Sequence, residues 1–353
     1  MNSGLLRIWI DTERLKYPHT GLYHFCMELG KALLQEKFDR EELSFYLPAN
    51  KMGVFGRDAV YRKQIGLHKY QLPSTASYQV WHSLHQGSQY FPFRRSIPVV
   101  LTIHDLNFLH QPGRGATYIK KSLAELQQKI NRADRVVAIS NFVLEELHRN
   151  LQVNSAQSSV IYNGCNFSQL APEIPPLVPD KPFLFTIGTL AAKKNFHVLP
   201  ALLQGNDYWL VIAGITHEEA YLQKIKQEAV RWGVEHRVII AGAITDAQKQ
   251  WYYQQCEAFV FPSIAEGFGM PVLEAMYFGK PVFLSTHTSL PEIGGSLAYY
   301  FTSFDPDEMR NAVEQGLQHY HQTSPQQALQ RHALSFSWSA AARQYLTMYR
   351  DLA

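Results

Sequence analysis

The chain has 353 residues, 46 % apolar and 18 % charged, which is material for two globular domains of roughly 150–200 residues each. The net charge of +3 hides an asymmetry: residues 1–165 carry 20 Lys and Arg against 13 Asp and Glu, and the remainder 13 against 17. No apolar run approaches the ~20 residues that span a bilayer, and the opening MNSGLLRIWIDTERL lacks the basic segment and long apolar run expected of a secretion signal. The three cysteines, Cys26, Cys165 and Cys256, fit no metal-ligand spacing and read as reduced, buried thiols of a cytoplasmic protein.

In chain order, short apolar runs alternate with longer amphipathic stretches. Leu6–Ile10 ends at Asp11, Val99–Ile103 ends at His104, and Arg135–Ile139 ends at Ser140. Helical periodicity fills Gly21–Glu36 and Thr117–Arg132. Strands of ~5 residues alternating with helices of ten or more predict parallel sheets covered on both faces. Residues 171–182, APEIPPLVPDKP, hold five prolines in twelve positions; proline resists helix and central strand, so this segment reads as a linker. Beyond it the alternation restarts, with strands at Phe183–Ile187, Trp209–Ala213, Val238–Ala241, Ala258–Phe261 and Pro281–Leu284, and helices at Glu218–Trp232 and Asp246–Cys256. The expected architecture is two α/β domains in tandem. Ligands of such sheets bind beyond the carboxyl ends of the strands.

At one such end stands EGFGMPVLE, Glu266 to Glu274, between the strand AFVF and a helix carrying Pro271 in its first turn. Glycines admit a ligand close to the backbone, and a helix N-terminus favours an anion. An acid at each end of a phosphate-binding turn suits a diphosphate flanked by hydroxylated sugars. The plain alternative is an acid that merely complements the helix dipole. Lys193 and Lys194, in GTLAAKKN after Phe183–Ile187, supply point charges suited to phosphate at the same sheet edge. Elsewhere a lysine pair of this kind is simply solvated.

EGFGMPVLEAMYFGKPV, GTLAAKKN and VIYNG, with TIHDLNFLHQP (Thr102–Pro112), ADRVVAIS (Ala133–Ser140), SLPEIGG (Ser289–Gly295) and FSW…Y…Y (Phe336 to Tyr349), resemble in order the motifs of the retaining family-4 glycosyltransferases. The resemblance spans most of the chain. It implies the GT-B fold, two Rossmann-like α/β/α domains facing a central cleft. Residues 1–170 would form the acceptor-side domain, with the C-terminal helix at about 337–353 packing back on it, and 183–336 the nucleotide-sugar domain. It further implies transfer of a hexose from a nucleotide-diphosphate sugar (GDP-mannose or a UDP-hexose) to a glycan or lipid-linked acceptor, without cofactor or metal.

By the same resemblance, Glu274 binds the ribose, while Glu266 and the backbone of Gly267, Phe268, Gly269 and Met270 meet the donor sugar and diphosphate. Lys194 and Lys193 bind the diphosphate, Lys193 standing where relatives carry arginine. His104 lies against the donor sugar, although a lone histidine there otherwise reads as a polar loop residue. Gly21 fits a tight approach to the donor. Tyr23 and His24 depart from the Gly and Arg usual in Thr20–Phe25, and Val143 and Leu144 depart after ADRVVAIS. On the acceptor side, His24, His82 and Arg114 are expected to contribute. Leaving-group stabilisation by the lysines and helix N-termini would then drive catalysis.

Asp305 and Asp307 mimic a metal-binding acid pair but precede a helical stretch, where Asp reads as a cap. The basic first half, through Lys120, Lys121, Lys129 and Arg132, is expected to meet an anionic membrane surface. Solvated charge is the alternative, and no nucleic-acid-binding pattern is present. A dinucleotide-dependent dehydrogenase would need GxGxxG after Ile10, where one glycine stands. An epimerase would need no acceptor, and a nucleotide-sugar sensor would tolerate loss of Glu266, Lys194 or His104.

Overall fold

Runs of Val, Ile, Leu and Phe, β-branched or bulky and free of helix-period gaps, become parallel strands buried on both faces. The computed structural model describes residues 4–18, 20–110, 115–165 and 170–353, and these divide into two units. Met1–Leu106, Arg114–Gly164 and Phe336–Ala353 make the first; Asn107–Gly113 and Cys165–Ser335 make the second.

The first unit runs β1 (Leu6–Asp11), α1 (Gly21–Glu36), β2 (Glu41–Leu47), β3 (Val60–Lys63), β4 (Val80–Ser83), β5 (Val99–Ile103), α2 (Ala116–Arg132), β6 (Arg135–Ala138), α3 (Asn141–Asn150) and β7 (Ser158–Val160). Its sheet is parallel, in the order β3-β2-β1-β4-β5-β6-β7. β1, β5, β6 and α1 are legible as apolar or amphipathic runs. β2 and β4 are not, because EELSFYL and VWHS bury polar groups, Ser44 and His82 among them.

The second unit runs β8 (Phe183–Ile187), β9 (Trp209–Ala213), α4 (Glu219–Arg231), β10 (Val238–Gly242), α5 (Asp246–Gln255), β11 (Ala258–Phe261), α6 (Met270–Tyr277), β12 (Val282–Ser285), α7 (Leu290–Gly294), β13 (Tyr299–Phe301), α8 (Pro306–Thr323) and α9 (Gln326–Ser335). The order β10-β9-β8-β11-β12-β13 places the crossover between β8 and β11. The loops after these two strands therefore meet at one topological switch point. Side chains close the helix ends: Thr245 and Gln248 form a capping box on α5. Asp305 accepts from the amides of Asp307 (2.9 Å) and Glu308 (3.2 Å), so it caps α8, and Asp307 pairs with Arg310.

The proline-rich segment lies on the second unit. Glu173 N–H donates to Ala247 O at 3.2 Å and Tyr252 OH to Leu177 O at 2.6 Å. The unit boundary accordingly falls between Gly164 and Cys165, earlier than the linker. The last helix, α10 (Trp338–Leu352), belongs to the first unit. Arg350 grips the buried Glu41 through two nitrogens at 2.6 and 3.1 Å.

His82 is fully buried beneath this helix. Its Nδ1 shares a hydrogen bond with Tyr349 OH at 2.5 Å and its Nε2 one with Thr102 Oγ1 at 2.8 Å, and Thr102 in turn meets Tyr345 OH at 2.9 Å. A ring with both nitrogens committed inside the core has no edge for an acceptor. The acceptor-side role expected of His82 is corrected to a structural one. The α2 expectation also changes. Lys129 Nζ donates inward to Gln86 O and Ser88 O at 2.6 and 2.7 Å, and Arg132 donates to Arg95 O and Ile97 O at 2.6 Å each. Only Lys120 and Lys121 of that set stand exposed. No helix among the described residues is long and apolar enough to cross a membrane.

Tyr349→Phe leaves one nitrogen of His82 buried without its partner, and the first unit is expected to lose about 1–3 kcal/mol. Denaturant midpoints of the two proteins measure this; equal midpoints would remove the network from the account of how α10 is held.

Candidate active site

After β8 the backbone passes Gly188 and turns through a short 3-10 segment at Ala192–Lys194. Asn195, left-handed at φ 57°, ends that turn. Lys194 reaches back across the strand end. A Cβ on Gly188 would lie 3.2 Å from Lys194 Cε, so glycine lets the side chain pass. Its ammonium donates to Glu266 Oε1 at 2.5 Å and sits 4.8 Å from the centre of the Phe261 ring. Glu266 follows β11, the neighbour of β8. The Ser263 hydroxyl lies 2.6 Å from Glu266 Oε1 and 3.1 Å from Lys193 O, and Ile264 N–H donates to Lys193 O at 2.9 Å. The two loops are thus stitched together.

Both side chains of the pair are nearly buried, at 12 % and 13 % exposed. Burial opposes the charge on Glu266, but Lys194, then Lys193, outweigh it and hold the carboxyl below the usual range. Burial pulls Lys194 below an exposed lysine, with Glu266 opposing. The arrangement is a charged pair, not a neutral one.

The glycine turn is held from the residues just before α7. Thr288 Oγ1 accepts from Glu266 N–H at 3.1 Å, and Ser289 Oγ lies 3.1 Å from Glu266 O and 2.9 Å from Phe268 O. Gly269 adopts φ 109°, where only glycine is at ease, and a Cβ there would come within 3.0 Å of Leu290 Cδ2. α6 then begins at Met270 with Pro271 in its first turn. Glu274, one turn in, does not touch Lys194. It accepts from Lys249 Nζ and from Tyr253 OH, each at 3.0 Å. Burial lowers the pKa of Lys249, but Glu274 and Asp246 outweigh it and raise it above the ordinary value.

In the first unit, Gly21 and His24 lie in the first turn of α1, whose cap Thr20 accepts from Tyr23 N–H at 3.2 Å. His104 follows β5, buried, with Phe25 edge-on at 4.4 Å between centroids. Its Nε2 faces Leu84 O at 2.8 Å. A carbonyl only accepts, so Nε2 carries the proton and Nδ1 is the acceptor. His85 Nδ1 accepts from Gly87 N–H at 2.8 Å and from Arg14 Nε at 3.2 Å. Two acids are buried in the same unit: Asp11 accepts from Ser88, from Gln64 at 3.0 Å and from Glu13 N–H at 3.1 Å, and Glu13 pairs with Lys16.

Of the residues expected from sequence, the structure brings Lys193, Lys194 and Glu266 together, and sets Glu274 beside partners not anticipated, Lys249 and Tyr253. Ser263, His85, Asp11 and Glu13 were also not anticipated. Each is one polar residue inside an ordinary segment, and only the tertiary contact distinguishes it. Arg114 lies outside the described residues. Among the described residues, no group of three or more His, Cys, Asp or Glu is placed to hold a metal ion.

Residues 168–330 match the family described as glycosyl transferases group 1, and residues 59–169 match glycosyltransferase family 4. The chain is 25 % identical, over 98 % of its own length and all of the relative's, to the O-antigen chain mannosyltransferase B of Escherichia coli. It is 31 % identical over 69 % of its length to the serotype-specific mannosyltransferase WbdA of the same organism, of which it spans 32 %. Among solved structures, the sucrose-phosphate synthase of Thermosynechococcus elongatus superposes with a TM-score of 0.79 at 18 % identity, covering 98 % of this chain and 99 % of that one. Anabaena HepE in complex with UDP and glucose superposes at 0.72 and 17 %, covering 98 % and 100 %. At these identities the structural likeness establishes the fold.

Burial sets opposite pH signs within the first unit. It pushes His82 down to about 3, His104 down to about 4, and His85 well below its usual value. Burial and then Glu13 push Asp11 up to about 7. A histidine kept neutral by folding takes its proton only when unfolded. Its contribution is whole above ~6.5 and is lost as pH falls towards the folded value. Asp11 contributes below ~4 and loses that as pH rises to about 7. Three groups oppose one, so acidification from pH ~6.5 to ~5 is expected to destabilise the unit, by about 1.4 kcal/mol per pH unit and net proton. Asp11→Asn should steepen the loss. Denaturant midpoints at the two pH values report it, and a midpoint that rises on acidification would overturn the neutral histidines.

Proposed function

The chain belongs to the group 1 glycosyl transferases, with the two parallel-sheet, Rossmann-like domains of the GT-B fold, and we propose that it is a retaining hexosyltransferase of cell-surface polysaccharide synthesis. The donor in this reading is a nucleotide-diphosphate sugar, GDP-mannose or a UDP-hexose, and the acceptor a glycan or lipid-linked glycan. The full-length likeness to an O-antigen chain mannosyltransferase favours mannose. The observation that carries the reading is the Lys194–Glu266 pair at the switch point, with the glycine turn and the start of α6 directly after it.

The ammonium of Lys194 has three protons, and Glu266 takes one. The others are proposed to meet the diphosphate, with Lys193 beside them. As the bond from the sugar's anomeric carbon to the diphosphate oxygen breaks, negative charge grows on the leaving group. A cation held in a poorly solvated place stabilises that charge more than it stabilises the bound donor. The acceptor hydroxyl bonds to the anomeric carbon from the same face, and its proton passes to the departing phosphate oxygen. The anomeric configuration is thereby kept, and no enzyme carboxylate attacks the sugar. Glu266, oriented by Lys194 and Ser263, is left to hold a donor-sugar hydroxyl, and Glu274 the ribose. His104 is assigned to the sugar as a hydrogen-bond acceptor through Nδ1. With its pKa pushed down to about 4 it is a poor general base at neutral pH.

Nucleotide sugars screened by thermal shift identify the donor, since binding raises apparent stability with affinity and concentration. Lys194→Ala is then expected to lower turnover at saturating donor by at least ~100-fold, about 2.7 kcal/mol, with a smaller loss of donor affinity. Lys193→Arg should be tolerated. If Lys194→Ala loses affinity while turnover stays intact, the lysine only holds the donor. A product with inverted anomeric configuration by NMR would overturn the same-face mechanism.

A further inference from the structure

Glu274 is 11 % exposed, and each of its oxygens is already addressed by one donor from α5. Lys249 Nζ lies 3.0 Å from Oε1, and Tyr253 OH 3.0 Å from Oε2. Lys249 and Tyr253 stand at i and i+4, so one face of one helix carries both. Asp246, 3.3 Å from Lys249 Nζ, steadies the ammonium from the far side. The Tyr253 hydroxyl also lies 3.2 Å from Pro271 O, but its single proton goes to the nearer, charged oxygen. The carboxylate is thus gripped at two points, which fixes its plane as well as its position.

The count of lone pairs makes this specific. An ionised carboxylate offers about four acceptor sites, two on each oxygen. Lys249 and Tyr253 use one on each, leaving acceptor capacity on both oxygens. Two acceptor oxygens suit the two O–H groups of a cis vicinal diol, whereas a single hydroxyl uses only one of them. Without Lys249, the nearly buried carboxylate loses both its counter-charge and the donor that fixes Oε1, so its position is no longer set. Without Tyr253 it keeps its charge but can turn about its last bond.

We propose, resting on the reading of Glu274 as the carboxylate at the nucleoside end of the donor, that Lys249 and Tyr253 are positioning residues that make this protein select ribonucleotides over 2′-deoxyribonucleotides. The selection is a property of the α5–α6 contact and needs no acceptor.

Calorimetric dissociation constants for GDP against 2′-deoxy-GDP, and UDP against 2′-deoxy-UDP, test it in the full chain. The wild type is expected to prefer the ribo form by ~10-fold or more, the ~1.4 kcal/mol that one lost charged hydrogen bond is worth. Lys249→Met should cut that ratio to ~3 or below, Lys249→Arg should restore it, and Tyr253→Phe should fall between. A purely structural role would weaken both nucleotides alike and leave the ratio unchanged. A preserved ratio in Lys249→Met and Tyr253→Phe, with the ratio abolished in Glu274→Ala, overturns the positioning role and leaves Glu274 at the ribose. A preserved ratio in Glu274→Ala overturns the ribose reading itself. Should Lys249→Met fail to fold, Tyr253→Phe, which removes one oxygen, decides the matter.

Discussion

Lys194 and Glu266 lie 72 positions apart and close to 2.5 Å from each other, both mostly out of water. Burying either ion alone costs several kcal/mol, so each is tolerable only while the other stays charged and in contact. That requirement reaches outward through the second unit. β8 and β11 must be neighbours, which happens only because the chain crosses over after β10. A side chain at Gly188 would crowd Lys194, and the Ser263 hydroxyl must stand within reach of Glu266.

The first unit solves burial differently. Beside the ion pairs Glu41–Arg350 and Glu13–Lys16 it buries histidines that stay neutral and hydrogen-bonded: His82 between Tyr349 and Thr102, His104 on a backbone carbonyl, His85 under two donors. Neutral partners avoid the ion desolvation cost but demand complete pairing, because an unmade bond in the core costs about as much as several made ones return. Hence α10 is tied to β4 and β5 by a relay of hydroxyls and a ring, not by apolar packing alone.

Much of this was legible in the sequence, for reasons that differ by element. β5, β8, β9 and β11 are buried on both faces, so they read as apolar runs broken at most by one threonine, and their expected limits match the structure. β2 and β4 carry Ser44, His82 and Ser83 into the core, and a polar residue satisfied by a distant hydroxyl looks in sequence like a surface one. The same blindness hid Lys249. A lysine and a tyrosine on a mostly polar helix are indistinguishable from a solvated face until α6 is laid against them. His82 misled in the other direction, as a polar residue at a strand end that proved to be structural. Glu266, Lys194 and the glycine turn were readable because backbone constraint and charge coincide there: a positive φ at Gly269, a proline in the first helical turn, and lysines at the adjacent strand end.

The two acids at the ends of that turn then make physical sense together. Left alone, they would repel an anion from the start of α6 and cancel the attraction of the helix N-terminus. Each instead has its own lysine: Glu266 has Lys194, and Glu274 has Lys249. Each charge is countered where it sits, Lys249 serving Asp246 as well, while lone pairs remain on both carboxylates. Lys193 is the surplus. Its backbone carbonyl accepts from Ile264 N–H, and its positive charge adds to that of the helix start. In the proposed reading the turn meets a diphosphate at its centre and hydroxyls at both ends, a division that glycines or lysines alone would not produce.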